Sequence, residues 1–273
     1  MKPPSLEPLP PEMQSLASQL ADARRDGRQI AELPARLVPP SAAIGYDVNL
    51  EVGRLLGWEP LGWKIAGTTQ AVRDRLGIDT PIYGRTFRRF ATTSPATLDC
   101  PKLLDPLVEC ECFVTLGSAL AWRPEPWTLD EVRAAVGSVH AGIEVAECRF
   151  PGSNLPAFPA VLADGAAAGH YVYGDEIAAW REDLAGIEVE VELDGQLRRT
   201  GSGREVMGDP LVPLLWLAET LRSRGLGIEA GEMISTGSMT GMLPVPRPCR
   251  IEARFGASAG VRIEFRGQRD EAG

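Results

Sequence analysis

Apolar and polar residues alternate along this chain in two rhythms. Over the first sixty residues the spacing is helical. Met13 to Arg28 carries Leu16, Leu20 and Ala23 on one side and stops at Gly27. Ser41 is placed to cap a second helix that runs to about Leu56 and ends at Gly57. The Val38-Pro39-Pro40 stretch separates the two, and the first dozen residues are Pro-rich, the composition of a loose arm. Trp63-Lys64-Ile65-Ala66 predicts a short strand. Thr69 to Leu76 predicts a helix with Gly77 as its C-cap.

From Val108 the period shortens to two. Val108 to Leu116 alternates and ends at Gly117, the pattern of a strand. Thr128 caps a predicted helix reaching Val136. Further strands are predicted at Ala141 to Glu147, at His170 to Tyr173, and at Ile187 to Leu193, the last turning at Asp194-Gly195. Asp209 to Arg224 is amphipathic, with Pro210 near its first turn and Gly225 at its end. Met233 to Thr236 and Arg250 to Phe255 close the series. Strands outnumber helices after residue 100 and do not alternate strictly with them. The expected class is therefore α+β, a mixed β roll behind a small helical region, rather than a doubly wound parallel sheet. The expected organisation is a helical region over residues 1–60 and a β-rich catalytic part over 61–273, folded as one compact unit.

Composition narrows the function. The chain has 273 residues, 44% of them hydrophobic, with a net charge of −9 and a pI of about 4.9. An acidic surface argues against nucleic-acid or anionic-membrane partners, which need Lys/Arg patches. No apolar run is long enough for a membrane span, and the N-terminus lacks the apolar core of a signal peptide, so a cytoplasmic location is expected. The five cysteines form no CxxC pair. A bridge between Cys110 and Cys112, two apart in a strand, would be strained, so buried thiols are expected. His140 and His170 are too few for a His-based zinc site. Dinucleotide-binding, P-loop and serine-hydrolase motifs are absent.

Candidate chemistry lies in the strands. Glu109 and Glu111 share one face of an otherwise apolar strand, while Val108, Cys110 and Cys112 share the other. Glu144 lies on a later apolar strand. Neighbouring buried carboxylates repel and need a neutralising partner, and a set made only of oxygen donors selects a hard cation, Mg²⁺ or Mn²⁺. Alternating glutamates also mark solvated sheet faces, as expected for Glu188, Glu190 and Glu192. The residues alone leave both readings open for Glu109 and Glu111.

Several segments, in order, resemble the 2-keto-4-pentenoate hydratase and 2-oxo-3-enedioate decarboxylase group of the fumarylacetoacetate hydrolase superfamily. Gly62-Trp63-Lys64-Ile65 and Gly77-Ile78-Asp79-Thr80-Pro81 resemble its G-W-K-x and G-x-D-x-P stretches. Val108-Glu109-Cys110-Glu111 resembles its V-E-x-E motif, and Ile143 to Arg149 its I-E-x-x-D-S-R strand. Gly203 to Pro210, Trp216-Leu217-Ala218 and Gly231 to Ser238 resemble its C-terminal helix and T-G-S loop. The match spans about residues 45 to 250.

The resemblance implies the superfamily's mixed β roll, and Mg²⁺ or Mn²⁺ bound by Glu109, Glu111 and Glu144. It implies catalytic roles for Lys64 and Asp79, and a loop with Thr236 and Ser238 that receives the substrate carboxylate. It further implies a small 2-oxo or 2-hydroxydienoic acid substrate from aromatic catabolism and a homo-oligomer, with a pathway enzyme as a further partner. The expected reaction is hydration of a 2-hydroxy-2,4-dienoate to a 4-hydroxy-2-oxo acid, with Lys64, its pKa lowered beside the cation, and Asp79 moving protons. Decarboxylation of a 4-oxalocrotonate-type acid, C–C hydrolysis of an acylpyruvate through a His–Glu dyad, and a non-catalytic partner subunit are the alternatives. Three departures stand out: Ala167 where the group has a serine, Glu147-Cys148 in place of Asp-Ser, and Tyr46-Asp47 without the group's glutamine.

Overall fold

A computed structural model describes residues 7–246 and 248–267. The front of the Pro-rich arm, residues 1–6, lies outside them. In chain order the elements are α1 (Pro11–Asp26), α2 (Ala42–Leu56), β1 (Pro60–Ala66), α3 (Gln70–Leu76), β2 (Ile82–Phe87), β3 (Ala91–Thr93), β4 (Ala96–Asp99), β5 (Leu107–Leu116), α4 (Leu129–Ala135) and β6 (Val136–Ala146). They continue with α5 (Phe158–Ala163), β7 (His170–Glu176), α6 (Trp180–Asp183), β8 (Glu188–Leu193), β9 (Gln196–Ser202), α7 (Leu211–Ser223), β10 (Met233–Ser235), β11 (Leu243–Pro244), β12 (Cys249–Phe255) and β13 (Ala259–Arg266). Glycines in the left-handed conformation end α1, α2 and α3 at Gly27, Gly57 and Gly77, as the sequence predicts. Ser41 and Thr69 cap α2 and α3 through their side-chain oxygens.

The strands form two sheets. The larger runs β2-β1-β10-β5-β6-β7-β3, with β11 added on β5, and the smaller runs β4-β13-β12-β8-β9. Neighbours are antiparallel except β1 with β10, β3 with β7 and β4 with β13. One face of the larger sheet, including Trp63, Ile65, Cys110, Cys112, Val114, Ile143, Val145, Val172 and Ile234, packs in the main core with Ile251, Ala253, Val261, Ile263 and Phe265 of the smaller sheet. Each such side chain, fully buried, contributes on the order of 2 kcal/mol. No disulfide is formed. Glu188 and Glu190 point to solvent and Glu192 is half-buried, and Arg254 pairs with Glu190 and Glu192, so that run is a solvated face.

Strands β2, β3, β4, β9, β11 and β13 are not among the sequence expectations, although β13 alternates Val261, Ile263 and Phe265 with polar residues. β9 is short of apolar residues and β2 is interrupted by Gly84 and Arg85; both are held by pairing with longer neighbours. β6 starts at Val136, where a helix end is expected, because that segment pairs along the length of β5.

The other face of the larger sheet carries the polar residues, and the N-terminal helices reach its rim. α1, α2 and α5 share a second core of Leu16, Leu20, Val48, Val52, Phe87 and Ala160, among others. α5 leads into a turn at Gly165, Ala166 and Ala167, all at positive φ (82°, 53° and 61°). Two consecutive alanines in this region cost on the order of 1–2 kcal/mol each, so the turn must be held from outside. The side chain of Asn49 on α2 donates to Ala163 O, 3.3 Å away, and accepts from Arg85 N–H. Arg24 on α1 donates to the Ala168 and Asp164 carbonyls. Asp164 is fully buried between two guanidiniums, Arg149 at 3.0 Å and Arg24 at 3.3 Å. β2 passes so close that a Cβ on Gly84 would sit 2.0 Å from Gly165 O.

Removing one partner of such a buried ion group leaves the others uncompensated. Asp164→Ala is therefore expected to destabilise the fold by about 3–5 kcal/mol in urea unfolding. A loss under 1 kcal/mol would show that the two arginines are not held by this carboxylate.

Candidate metal centre

Alternation along β5 points Glu109, Glu111 and Phe113 away from the main core. Antiparallel pairing sets Glu144 of β6 directly opposite Glu109, and Gly142 opposite Glu111. The absent side chain at Gly142 matters, since a Cβ there would lie 2.5 Å from the Phe113 ring. On the other side β10 pairs with β5 and β1 with β10, which puts Ser235 beside Phe113 and Lys64 beside Ser235. Glu109, Glu111 and Glu144 are all buried, with one carboxylate oxygen of each within 4.8 Å of the others.

The cluster is held by hydrogen bonds and one cation. Ser235 Oγ donates to Glu111 Oε2 at 2.5 Å, and Gly237 N–H donates to the same oxygen at 2.8 Å. Tyr171 OH, on β7, donates to Glu144 Oε1 at 3.4 Å. Lys64, 2% exposed, sets Nζ 3.1 Å from Glu144 Oε1 and 3.1 Å from Ala166 O, so the strained turn places its carbonyl against this ammonium.

Burial, together with the neighbouring carboxylates, pushes Glu111 well above the usual carboxylate range. Burial pushes Glu144 up to about 7, although Lys64 pulls against the shift. Burial next to Glu144 and Glu111 also pushes the Tyr171 phenol up. For Lys64, burial favours the neutral amine, but Glu144, Glu109 and Glu111 together outweigh it and the pKa rises. The lowered value expected beside a cation therefore does not describe the protein alone, where three acids face one base. A buried oxygen cage with this excess of negative charge can hold a hard divalent cation, which would satisfy all three carboxylates at once.

The other sequence candidates fall in different places. Ser238 lines a cavity of about 1030 Å³ that also takes in Lys64, Glu109, Ala166 and Ala167, and its buried Oγ has no hydrogen-bond partner. Thr236 is fully buried and donates its hydroxyl to Cys112 O, so its side chain secures the loop against β5. Asp79 is exposed, two residues past the cap of α3, and is not among the cavity-lining residues. Ser235 and Tyr171 were not singled out in the sequence. Ser235 shares strand parity with Met233 two residues before it, but only the pairing of β7 with β6 brings Tyr171 to Glu144. His170 pairs with Glu147 at 3.3 Å, and Glu147 also accepts from Leu104 N–H; this His–Glu pair is not part of the cavity wall.

No protein-family model matches the chain. Among curated proteins, the 2-keto-4-pentenoate hydratase of Paraburkholderia xenovorans (strain LB400) is 31% identical over 261 residues, covering 94% of this chain and 96% of that protein. The chain belongs to the 2-keto-4-pentenoate hydratase and 4-oxalocrotonate decarboxylase group of the fumarylacetoacetate hydrolase superfamily. A 4-oxalocrotonate decarboxylase of Pseudomonas putida is 28% identical over 92% of this chain and 96% of its own length. The structure of 4-oxalocrotonate decarboxylase from Pseudomonas putida G7, complexed with magnesium and adipate, superposes with a TM-score of 0.86 and 28% identity, over 95% of this chain and all of that one. More distant structures share the fold alone, such as fumarylpyruvate hydrolase from Pseudomonas aeruginosa at a TM-score of 0.57 and 14% identity. The expected superfamily roll is thus borne out, and the group's enzymes carry both names at similar identity. No helix among the described residues is long and apolar enough to cross a membrane.

The raised carboxylates set the pH dependence of cation binding. A carboxylate must lose its proton to act as a ligand. Glu144, at about 7, holds its proton at pH 6, and protons compete with the cation increasingly as pH falls. Calorimetry should therefore show Mg²⁺ affinity dropping about tenfold per pH unit below 7 for each proton displaced. The linkage to stability has the same origin. A folded-state pKa raised above the unfolded value makes the metal-free fold lose stability as pH rises from about 4.5 towards 7. The rise in Tm on adding Mg²⁺ should thus be larger at pH 7.5 than at pH 5.5, and an equal rise at both would contradict the assignment.

Proposed function

We propose that this protein is a divalent-metal hydratase that adds water to a 2-hydroxy-2,4-dienoate and yields a 4-hydroxy-2-oxo acid. The observation that favours hydration over decarboxylation is the charge of the cavity wall. Among the described residues Lys64 is its one buried cation, and it already faces three carboxylates. The other wall cation, Arg75, is exposed, while Asp105, Glu109 and Glu205 add negative charge. A monoanion suits this wall. The second carboxylate of a 2-oxo-3-enedioate would find no further buried positive partner among the described residues of the wall.

In this reading Glu109, Glu111 and Glu144 hold Mg²⁺ (or Mn²⁺), and the buried all-oxygen donor set fits that choice. The bound cation supplies positive charge that favours the enolate of a 2-oxo acid. Lys64, kept protonated by its acidic neighbours and aimed by Ala166 O, donates a proton at C5 as the dienol loses its O2 proton and becomes an α,β-unsaturated ketone. Water then adds at C4 with a proton at C3. Ser238, its Oγ unpartnered on the cavity wall, receives the substrate carboxylate, and Thr236 positions that loop. Asp79 enters as a second proton-transfer group through the G-x-D-x-P stretch alone, since its exposed position gives it no geometric support. Acylpyruvate hydrolysis is disfavoured, because the His170–Glu147 pair does not reach the cavity. The group's precedent supports a homo-oligomer, with a pathway enzyme as co-assembling partner.

The test is turnover of freshly generated 2-hydroxypenta-2,4-dienoate, followed by loss of dienol absorbance with Mg²⁺ and then with EDTA. The expected result is Mg²⁺-dependent conversion to 4-hydroxy-2-oxopentanoate that EDTA stops. Lys64→Met should lower kcat/KM by about 10²-fold or more. Asp79→Asn should lower it comparably, and near wild-type activity would remove Asp79 from the mechanism. Faster release of CO₂ from 4-oxalocrotonate than hydration of the dienoate would make the protein a decarboxylase. Mg²⁺ binding with no turnover of either acid would make it a non-catalytic subunit.

A further inference from the structure

The cavity is far larger than an acid of five carbons requires. At about 1030 Å³ it stands at the upper end of pockets that bury drug-sized ligands, roughly 300–1,000 Å³. It also has a direction. Lys64 and Glu109, at 2% and 9% exposed, are its buried end, and its exposed lining includes Leu76 and Leu155, at 38% and 54%, beside the charged Arg75, Asp105 and Glu205. Between them the wall includes Val72, Ile82, Phe158, Val161 and Met239. Among the described residues three large hydrophobics are exposed, and two of them, Leu76 and Leu155, line this one cavity. Exposed apolar side chains gathered at the rim of a pocket mark a surface that a ligand covers.

We infer that the substrate is a monoanionic 2-oxo or 2-hydroxydienoic acid carrying a bulky apolar tail, an alkyl or aryl group of four or more carbons, that runs from the buried carboxylate end to Leu155 and Leu76. In the dienoate this tail sits on C5. The inference takes only the position of the head group from the hydratase reading. The tail itself rests on the size of the cavity, its apolar wall and its exposed rim. Burial of each methylene along such a wall tightens binding about three- to fourfold. Met239 and Met242, unbranched and adaptable, suit tails of more than one shape.

The experiment is calorimetry on the Mg²⁺-loaded wild-type protein with saturated 2-oxo acids, which cannot be hydrated, from 2-oxobutanoate to 2-oxodecanoate. The expected Kd falls about three- to fourfold per methylene until the chain reaches the exposed lining. 2-Oxoadipate is expected to bind more weakly than 2-oxohexanoate. Leu155→Glu, at an exposed position, should reverse the gain of the longest acids by tenfold or more. A Kd independent of chain length, as when a second copy of the chain covers the rim, overturns the inference, and so does tighter binding of 2-oxoadipate. Turnover separates the two readings. Graded binding without hydration of any dienoate leaves the tail in place and removes the hydratase. Hydration of the short dienoate with flat binding does the reverse.

Discussion

Two glutamates at alternate positions of β5 and a third directly across on β6 put three carboxylates into the interior of one sheet face, with a single ammonium beside them. Burial resists their charge and each resists the next, which is why Glu111 and Glu144 titrate high. Much of the surrounding architecture reads as a response to that cost. Ser235 and Gly237 N–H converge on one oxygen of Glu111, Tyr171 reaches Glu144, and Lys64 is fixed from both sides by Glu144 and Ala166 O. A hard cation could complete the neutralisation, since the same excess charge that strains the protein alone suits the three carboxylates to hold one.

The turn at Ala166 links this cage to the helical region. Its residues occupy a backbone region that alanine disfavours, and they stay there because α1 and α2 hold them through Arg24 and Asn49, with Asp164 and Arg149 locked beneath. The N-terminal helices thus reach the carboxylate cluster at a distance, by fixing the carbonyl that accepts from Lys64. Two of the departures from the family motif fall on the same cavity. Ala167 and Cys148, where the group's motif has serines, both line its wall. Glu147, beside Cys148, is satisfied elsewhere by Leu104 N–H and His170. The carboxylate core is therefore kept while the cavity around it becomes more apolar.

Hydratases and decarboxylases of this group share a 2-oxo acid head and the enolate that follows from it. What separates them is the far end of the substrate, a neutral carbon chain or a second carboxylate. Among the described residues of this cavity's wall acids outnumber cations, with hydrophobic side chains spread between them, and our proposal of the neutral chain rests on that balance.

Alternation and capping, both local properties, determined much of this from the sequence. The period of two in Val108 to Leu116 already set Glu109 and Glu111 on one face and the cysteines on the other. Gly27, Gly57 and Gly77, with Ser41 and Thr69, bounded the early helices, because a left-handed glycine and an N-cap side chain act within one turn of chain. The ordered motifs named the family and brought Lys64 forward as a candidate. Tertiary structure decided what depends on contacts between distant segments. Pairing of β5 with β6 brought Glu144 opposite Glu109, and pairing of β6 with β7 supplied Tyr171. Only the fold separated Ser238, on the cavity wall, from Thr236, turned into the core, and left Asp79 in solvent. Strands such as β2 and β9 carry too few apolar residues to announce themselves, and they exist because a neighbouring strand offers them hydrogen bonds.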